Sequence, residues 1–153
     1  MSNKINKYKT HDKQPLTDII YNCAPSANPN RDNNKAEKIW YKRHIINVFK
    51  KTISNEILLI LFGSFSKAKK NYNNNSDIDI AVYLGRHLTG KEWLEINGEL
   101  EKLPILRDID VVDIAKLTNI ELLNHIVNEG DIWINSKSLF QDLKKHLKNI
   151  KKS

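Results

Sequence analysis

The sequence predicts an α/β (α+β) domain in which a mixed β-sheet is flanked by helices. Three observations carry this expectation. Short aliphatic runs that suit buried strands alternate with segments whose apolar residues recur at helical spacing. Glycine or proline stops most of these segments. No stretch repeats another, which sets solenoids and propellers aside. At 153 residues the chain suits one such domain with a tail.

Taken in order, residues 1–34 hold three of the four prolines, Pro15, Pro25 and Pro29, and the polar run 26–34. They read as a flexible N-terminal arm, whose one apolar cluster, Leu16, Ile19, Ile20 and Tyr21, either docks as a helical turn or stays in solvent. The domain is expected over residues 35–153. It opens with an amphipathic helix from Lys35, with Ile39, Ile46, Phe49 and Ile53 on one face. Residues 56–62, EILLILF, are rich in Ile and Leu and end at Gly63, as a buried strand would. Residues 77–84 alternate Asp and Ile before turning apolar, and form the second strand. Trp93, Ile96, Leu100 and Leu103 then mark a helix with Thr89 as its N-cap and Pro104 beyond its end. Residues 108–114, DIDVVDI, give a third strand. Thr118 followed three residues on by Glu121 has the capping-box pattern for a helix carrying Leu122, Leu123, Ile126 and Val127, closed by Gly130. A short strand, 131–134, leads to a basic amphipathic helix over 138–150, with Leu139, Leu143, Leu147 and Ile150 on one side and lysines on the other.

Composition excludes several classes. With 40% hydrophobic and 28% charged residues the chain can bury a core. Its longest apolar run, residues 57–62, is far below the roughly 20 residues of a membrane helix. The charged N-terminus leads into no apolar signal region. A single cysteine, Cys23, forms no internal disulfide, so the cytoplasm is the expected location. The net charge of +7 is uneven: residues 1–56 carry +6, 57–135 carry −4 and 136–153 carry +5. An acidic middle between basic ends argues for solvated ends rather than a basic binding face, so nucleic acid is not the expected partner.

The chemistry concentrates in Phe62-Gly63-Ser64-Phe65-Ser66-Lys67-Ala68 and, past an Asn-rich loop, Ser76-Asp77-Ile78-Asp79-Ile80. A strand ending in Gly-Ser and opening a short helix presents backbone N–H groups and the Ser64 hydroxyl to an anion such as phosphate. Asp77 and Asp79, two apart on a strand, point to one face and can share metal. On the third strand Asp108 and Asp110 share a face while Asp113 points away. Oxygen ligands without His or Cys suit Mg²⁺ or Mn²⁺ rather than zinc. The plainer reading, a row of solvent-facing acids, has to explain why strands poor in Asp would hold carboxylates that repel each other. Lys67, Lys69 and Lys70 either contact phosphate or form a solvated charge run. The five histidines show no ligand spacing.

Gly63-Ser64 followed by Asp77-x-Asp79 resembles the signature of the polymerase-beta-like nucleotidyltransferase superfamily, and within it the minimal nucleotidyltransferase (MNT) family. Ile109-Asp110-Val111-Val112 resembles the strand of that family's third carboxylate. Leu122, Ile126, Glu129-Gly130 and Ile132-Trp133 resemble its closing helix-Gly-strand pattern. The resemblance spans about residues 35–135. It departs at Lys67, which stands where relatives commonly have arginine, at Ala68 in place of a second glycine, and in a loop of twelve residues, 65–76, two more than usual.

The resemblance implies a polymerase-beta-like fold and a nucleotidyltransferase that moves a nucleoside monophosphate, AMP from ATP, onto an acceptor hydroxyl. Asp77, Asp79 and Asp110 would be catalytic and hold two Mg²⁺ ions, with Mn²⁺ as a substitute. Gly63, Ser64 and Lys67 would grip the ATP phosphates. Small proteins of this family resemble antitoxins that silence a helical HEPN toxin partner by adding AMP to a tyrosine. Two alternatives stand beside this: an antibiotic adenylyltransferase, and a catalytically silent module that only binds its partner. The oligomeric state stays open.

Overall fold

The computed structural model describes residues 31–66 and 76–152. The arm expected over residues 1–34 lies outside the described residues as far as residue 30, as does Lys67. A boundary between two compact units falls between Arg43 and His44. The described elements are α1 (Arg31–Thr52), β1 (Leu58–Phe62), a 3₁₀ turn (Gly63–Phe65), β2 (Ile78–Tyr83), α2 (Gly90–Glu101), β3 (Ile109–Asp113), a second 3₁₀ turn (Ile114–Lys116), α3 (Ile120–Glu129), β4 (Asp131–Ile134) and α4 (Lys137–Lys151). No helix among the described residues is long and apolar enough to cross a membrane.

The four strands form one mixed sheet in the order β3-β2-β1-β4. β1 pairs antiparallel with both β2 and β4, whereas β2 and β3 run parallel. A parallel pair needs a crossover, and α2 supplies it. All five residues of β1 are buried, as befits a central strand covered on both faces. Each such side chain contributes about 1.5–3 kcal/mol by leaving water. On one face Leu58, Ile60, Phe62, Ala81 and Tyr83 cluster with Leu123 and Ile126 of α3 and Leu143 and Leu147 of α4. The basic last helix is thus part of the core on its apolar side. Gly130 is required where α3 turns into β4, because a Cβ there would run into the Ile60 side chain and the Ile126 carbonyl.

Three expectations change in detail. α1 starts at Arg31, and its buried apolar residues are Trp40 and Tyr41 in the first unit and Ile45, Val48 and Phe49 in the second. Ile39, placed on the buried face by spacing, is 53% exposed. At 100° per residue the stripes through Ile39 and Trp40 diverge, and the larger aromatic surfaces occupy the buried one. The N-cap of α3 is Asn119 rather than Thr118: its side-chain oxygen accepts the Leu122 N–H at 3.1 Å. Asn caps at least as well as Thr, and starting at Ile120 buries Leu123 and Ile126. The first three strands are also each two residues shorter than the runs that announced them, whereas β4 spans the expected 131–134. At Thr89 the capping is fuller than expected: its hydroxyl accepts the Glu92 N–H, and the Glu92 carboxylate accepts the Thr89 N–H.

Candidate active site

The register of the sheet brings the predicted acids together. Asp79 on β2 lies opposite Asp110 on β3 and opposite Phe62 on β1. It therefore continues the row of Tyr83 and Ala81, at the end where the sheet face changes from apolar to acidic. Asp77 stands one residue before β2, exposed, and Asp110 is exposed on the edge strand. The parallel ladder opens with the Ile78 N–H donating to the Asp108 carbonyl at 2.8 Å, which fixes Asp110 beside Asp79.

Charge accumulates there without compensation. Partial burial, followed by repulsion from Asp110 and then Asp77, raises the Asp79 carboxyl above the ordinary aspartate value. Like charges facing across a strand pair destabilise a sheet, and a divalent cation reverses the sign of that term. In chemistry the set fits Mg²⁺: hard oxygen donors on adjacent strands, already repelling one another. Among the described residues no three His, Cys, Asp or Glu side chains are gathered closely enough to form a ready-made cage. The donors agree in kind and register rather than in a closed geometry.

Gly63 is built into the same corner. Its φ of +77° is a left-handed conformation that glycine adopts freely. A Cβ on it would also collide with the Asp79 carboxylate. The Gly-Ser turn and the Asp79 carboxylate are thus packed against each other, and any side chain here would strain the backbone and push that carboxylate aside. The turn is a single 3₁₀ turn, closed by the Ser66 N–H on the Gly63 carbonyl at 3.2 Å, and Ser64 stands exposed on it. The helix expected beyond it falls on residues outside those described.

Arg107, unremarked in the sequence, ties this corner together. It is buried, donates to the Ser76 carbonyl at 2.9 Å, and its guanidinium lies 5.0 Å from the centre of the buried Phe65 ring. Phe65 adjoins Ser64, Ser76 adjoins Asp77, and Arg107 itself precedes Asp108. One cation thus links the end of β1, the start of β2 and the start of β3. A lone Arg before an acidic strand reads as a surface charge, and its two partners lie more than thirty positions away in sequence. Asp113, predicted to face away, does so: it is buried and accepts the Leu88 N–H at 2.9 Å and the Ala115 N–H at 3.2 Å.

Beside the carboxylates lies a cavity of about 420 Å³. Asp77 and Asp110 line it together with residues from the end of α2 and the segment leading into β3.

The sequence profile described as "Polymerase beta, Nucleotidyltransferase" matches residues 43–138. No curated protein matches the chain. Among solved structures, a toxin–antitoxin with AMP-PNP superposes with a TM-score of 0.58 at 24% identity, covering 72% of this chain and 86% of that one. A tri-AMPylated Shewanella oneidensis HEPN toxin in complex with MNT antitoxin gives 0.55 at 21%, covering 75% and 87%. A toxin–antitoxin MntA-HepT gives 0.53 at 22%, covering 72% and 84%. At these identities the likeness carries the fold.

Proposed function

We propose that this chain, which belongs to the polymerase beta nucleotidyltransferase family, transfers AMP from ATP to a tyrosine hydroxyl of a small helical HEPN-type partner and so acts as its antitoxin. The observation that carries the reading is the alignment of Asp79 with Asp110 directly against the Gly63 turn. The solved structures support it in kind: one similar protein is seen with AMP-PNP, and another with a HEPN toxin bearing AMP.

In this reading Asp77, Asp79 and Asp110 hold Mg²⁺. When bound, the metal supplies positive charge against the charge developing on the attacking and leaving oxygens. Gly63 and Ser64 hold the β- and γ-phosphates through backbone N–H groups and the Ser64 hydroxyl, and Lys67 adds a cation to that grip. The acceptor oxygen bonds to the α-phosphorus as the bond to the bridging oxygen breaks, and pyrophosphate leaves. The hydroxyl proton passes to the Asp110 carboxylate on the exposed edge strand. Arg107 keeps the turn and both acidic strands in register, so that grip and carboxylates address one triphosphate.

The test is labelling with α-phosphate-labelled ATP and Mg²⁺ in the presence of a co-expressed small helical partner. Wild-type protein is expected to label the partner, and Asp77→Asn with Asp79→Asn to abolish the label. Equal labelling by both would overturn the reading.

A further inference from the structure

We propose that the lysine face of α4 binds the phosphate backbone of duplex nucleic acid without reading its sequence. Charge massed at the end of a chain is what a solvated tail would show, but this end is a helix anchored in the core by Leu143 and Leu147. Anchoring fixes which side faces out. At 3.6 residues per turn, Lys137, Lys144, Lys145, Lys148, Lys151 and the C-cap Lys152 fall within one arc of about 120°, and Leu139, Leu143, Leu147 and Ile150 within a separate arc of about 80°. All six lysines are exposed. They extend over about 20 Å of the helix axis. Almost all of α4 lies beyond residues 43–138, which the family profile matches, so the transfer reading does not account for this face.

The surroundings of these lysines separate a binding face from an ordinary solvated one. On α2 the lysines are neutralised locally: Lys91 lies 3.9 Å from Glu95, and Lys102 lies 3.0 Å from Glu99. None of the six on α4 is paired with a carboxylate among the described residues. The one acid of the helix, Asp142, falls outside the lysine arc and accepts the Tyr83 hydroxyl at 2.6 Å. Like charges three and four residues apart, as at Lys144, Lys148, Lys151 and Lys152, destabilise a helix until a polyanion neutralises them.

The make-up of the face selects among polyanions. Besides lysine the arc holds only Gln141, with no aromatic or aliphatic anchor of the kind that centres a protein interface. The apolar side that would enter a lipid surface is already taken up by the core. Single strands are held by stacking on exposed aromatic rings, whereas Phe140 packs against the core with the Lys144 ammonium 4.8 Å from its centre. What remains is a straight row of flexible cations, which suits the regularly spaced phosphates of a duplex.

The probe is a short fluorescein-labelled DNA duplex of mixed sequence, titrated with the full chain and read by anisotropy. With about four lysines on phosphate, affinity should fall roughly 100-fold between about 50 and 200 mM salt. A duplex of unrelated sequence should bind to within about twofold. The triple variant Lys144→Gln, Lys148→Gln, Lys151→Gln should bind about tenfold more weakly or worse, and its plot of log affinity against log salt should be shallower by about 2 to 3. A control variant on α1, Lys42→Gln, Lys50→Gln, Lys51→Gln, loses the same net charge at exposed positions and should weaken binding less than about threefold. Unchanged far-UV circular dichroism in both variants assigns the loss to the face rather than to unfolding. An RNA duplex of the same length runs alongside, and binding of either duplex that is lost in the α4 variant upholds the proposal. Absence of binding, binding indifferent to salt, tighter binding of the single strand than of its duplex, equal losses in the two triple variants, or a preference for poly-L-glutamate or phosphatidylserine vesicles would each overturn it.

Discussion

The acids at the two ends of the β2–β3 pair have opposite surroundings. At the far end each carboxylate is met by donors. Asp113 takes two backbone N–H groups, Asp142 takes the Tyr83 hydroxyl at 2.6 Å, and Glu92 binds Arg86 through two oxygens at 2.8 and 3.0 Å. At the near end the side chains of Asp77, Asp79 and Asp110 have no hydrogen bond or ion pair among the described residues, and Asp79 feels its neighbours only as repulsion. Carboxylates that serve stability are neutralised by the fold. In the proposed reading those left facing one another take up a cation, and this difference in surroundings, more than residue type, is what marks them as the candidate site.

The largest effect expected from breaking this contrast is at Asp79. Asp79→Asn should lower AMP transfer by about 10³-fold or more, because one shared oxygen donor is lost. The same change should stabilise the metal-free protein by a few tenths to about 1 kcal/mol, since it removes the repulsion across the strands. Denaturant titration without Mg²⁺ measures that sign. Ser64→Ala comes next. It removes one charge-assisted hydrogen bond worth about 1.5–3 kcal/mol, so transfer should fall about 10- to 150-fold. The remaining backbone N–H groups keep the defect partial, and saturating ATP should shrink it, which steady-state kinetics reads as a KM effect.

At the satisfied end the consequences move from rate to stability. Asp113→Ala leaves the Leu88 and Ala115 N–H groups without their acceptor and should cost about 1–3 kcal/mol, with transfer per folded molecule kept within about twofold of wild type. Smallest is the response of Glu92. Hydrogen bonding from Arg86, with further donors at Thr89, lowers its carboxyl to about 2. A lowered carboxyl stabilises the fold above its ordinary value and loses that contribution as pH falls toward the folded value. Between about pH 4.5 and 2 the wild type should therefore lose thermal stability more steeply than Glu92→Gln. Parallel curves would remove Glu92 from the satisfied set.

Much of this arrangement was legible in the sequence because it depends on parity. Period-two alternation places Asp77 with Asp79, and Asp110 opposite Asp113, before any pairing is known. Strand termination at Gly63 was equally readable, although the close approach that favours glycine there involves Asp79, sixteen positions on. What escaped depends on contacts between distant segments. Arg107 has no local signature, and its meaning comes from Phe65 and Ser76. The buried stripe of α1 shifted from Ile39 to Trp40 and Tyr41 because spacing names several stripes and packing selects one. The cavity is likewise invisible to spacing, since it arises where α2 ends beside an edge strand.

The most direct measurement is a thermal-shift comparison of wild type with the Asp77→Asn, Asp79→Asn double variant, each with ATP alone, Mg²⁺ alone and Mg-ATP. Binding to the native state raises its apparent stability. Wild type should gain several degrees with Mg-ATP and much less with ATP alone, and the double variant should gain nothing beyond what ATP alone gives. An equal gain in both proteins, or a gain in wild type indifferent to Mg²⁺, would contradict the assignment of these carboxylates to metal and nucleotide.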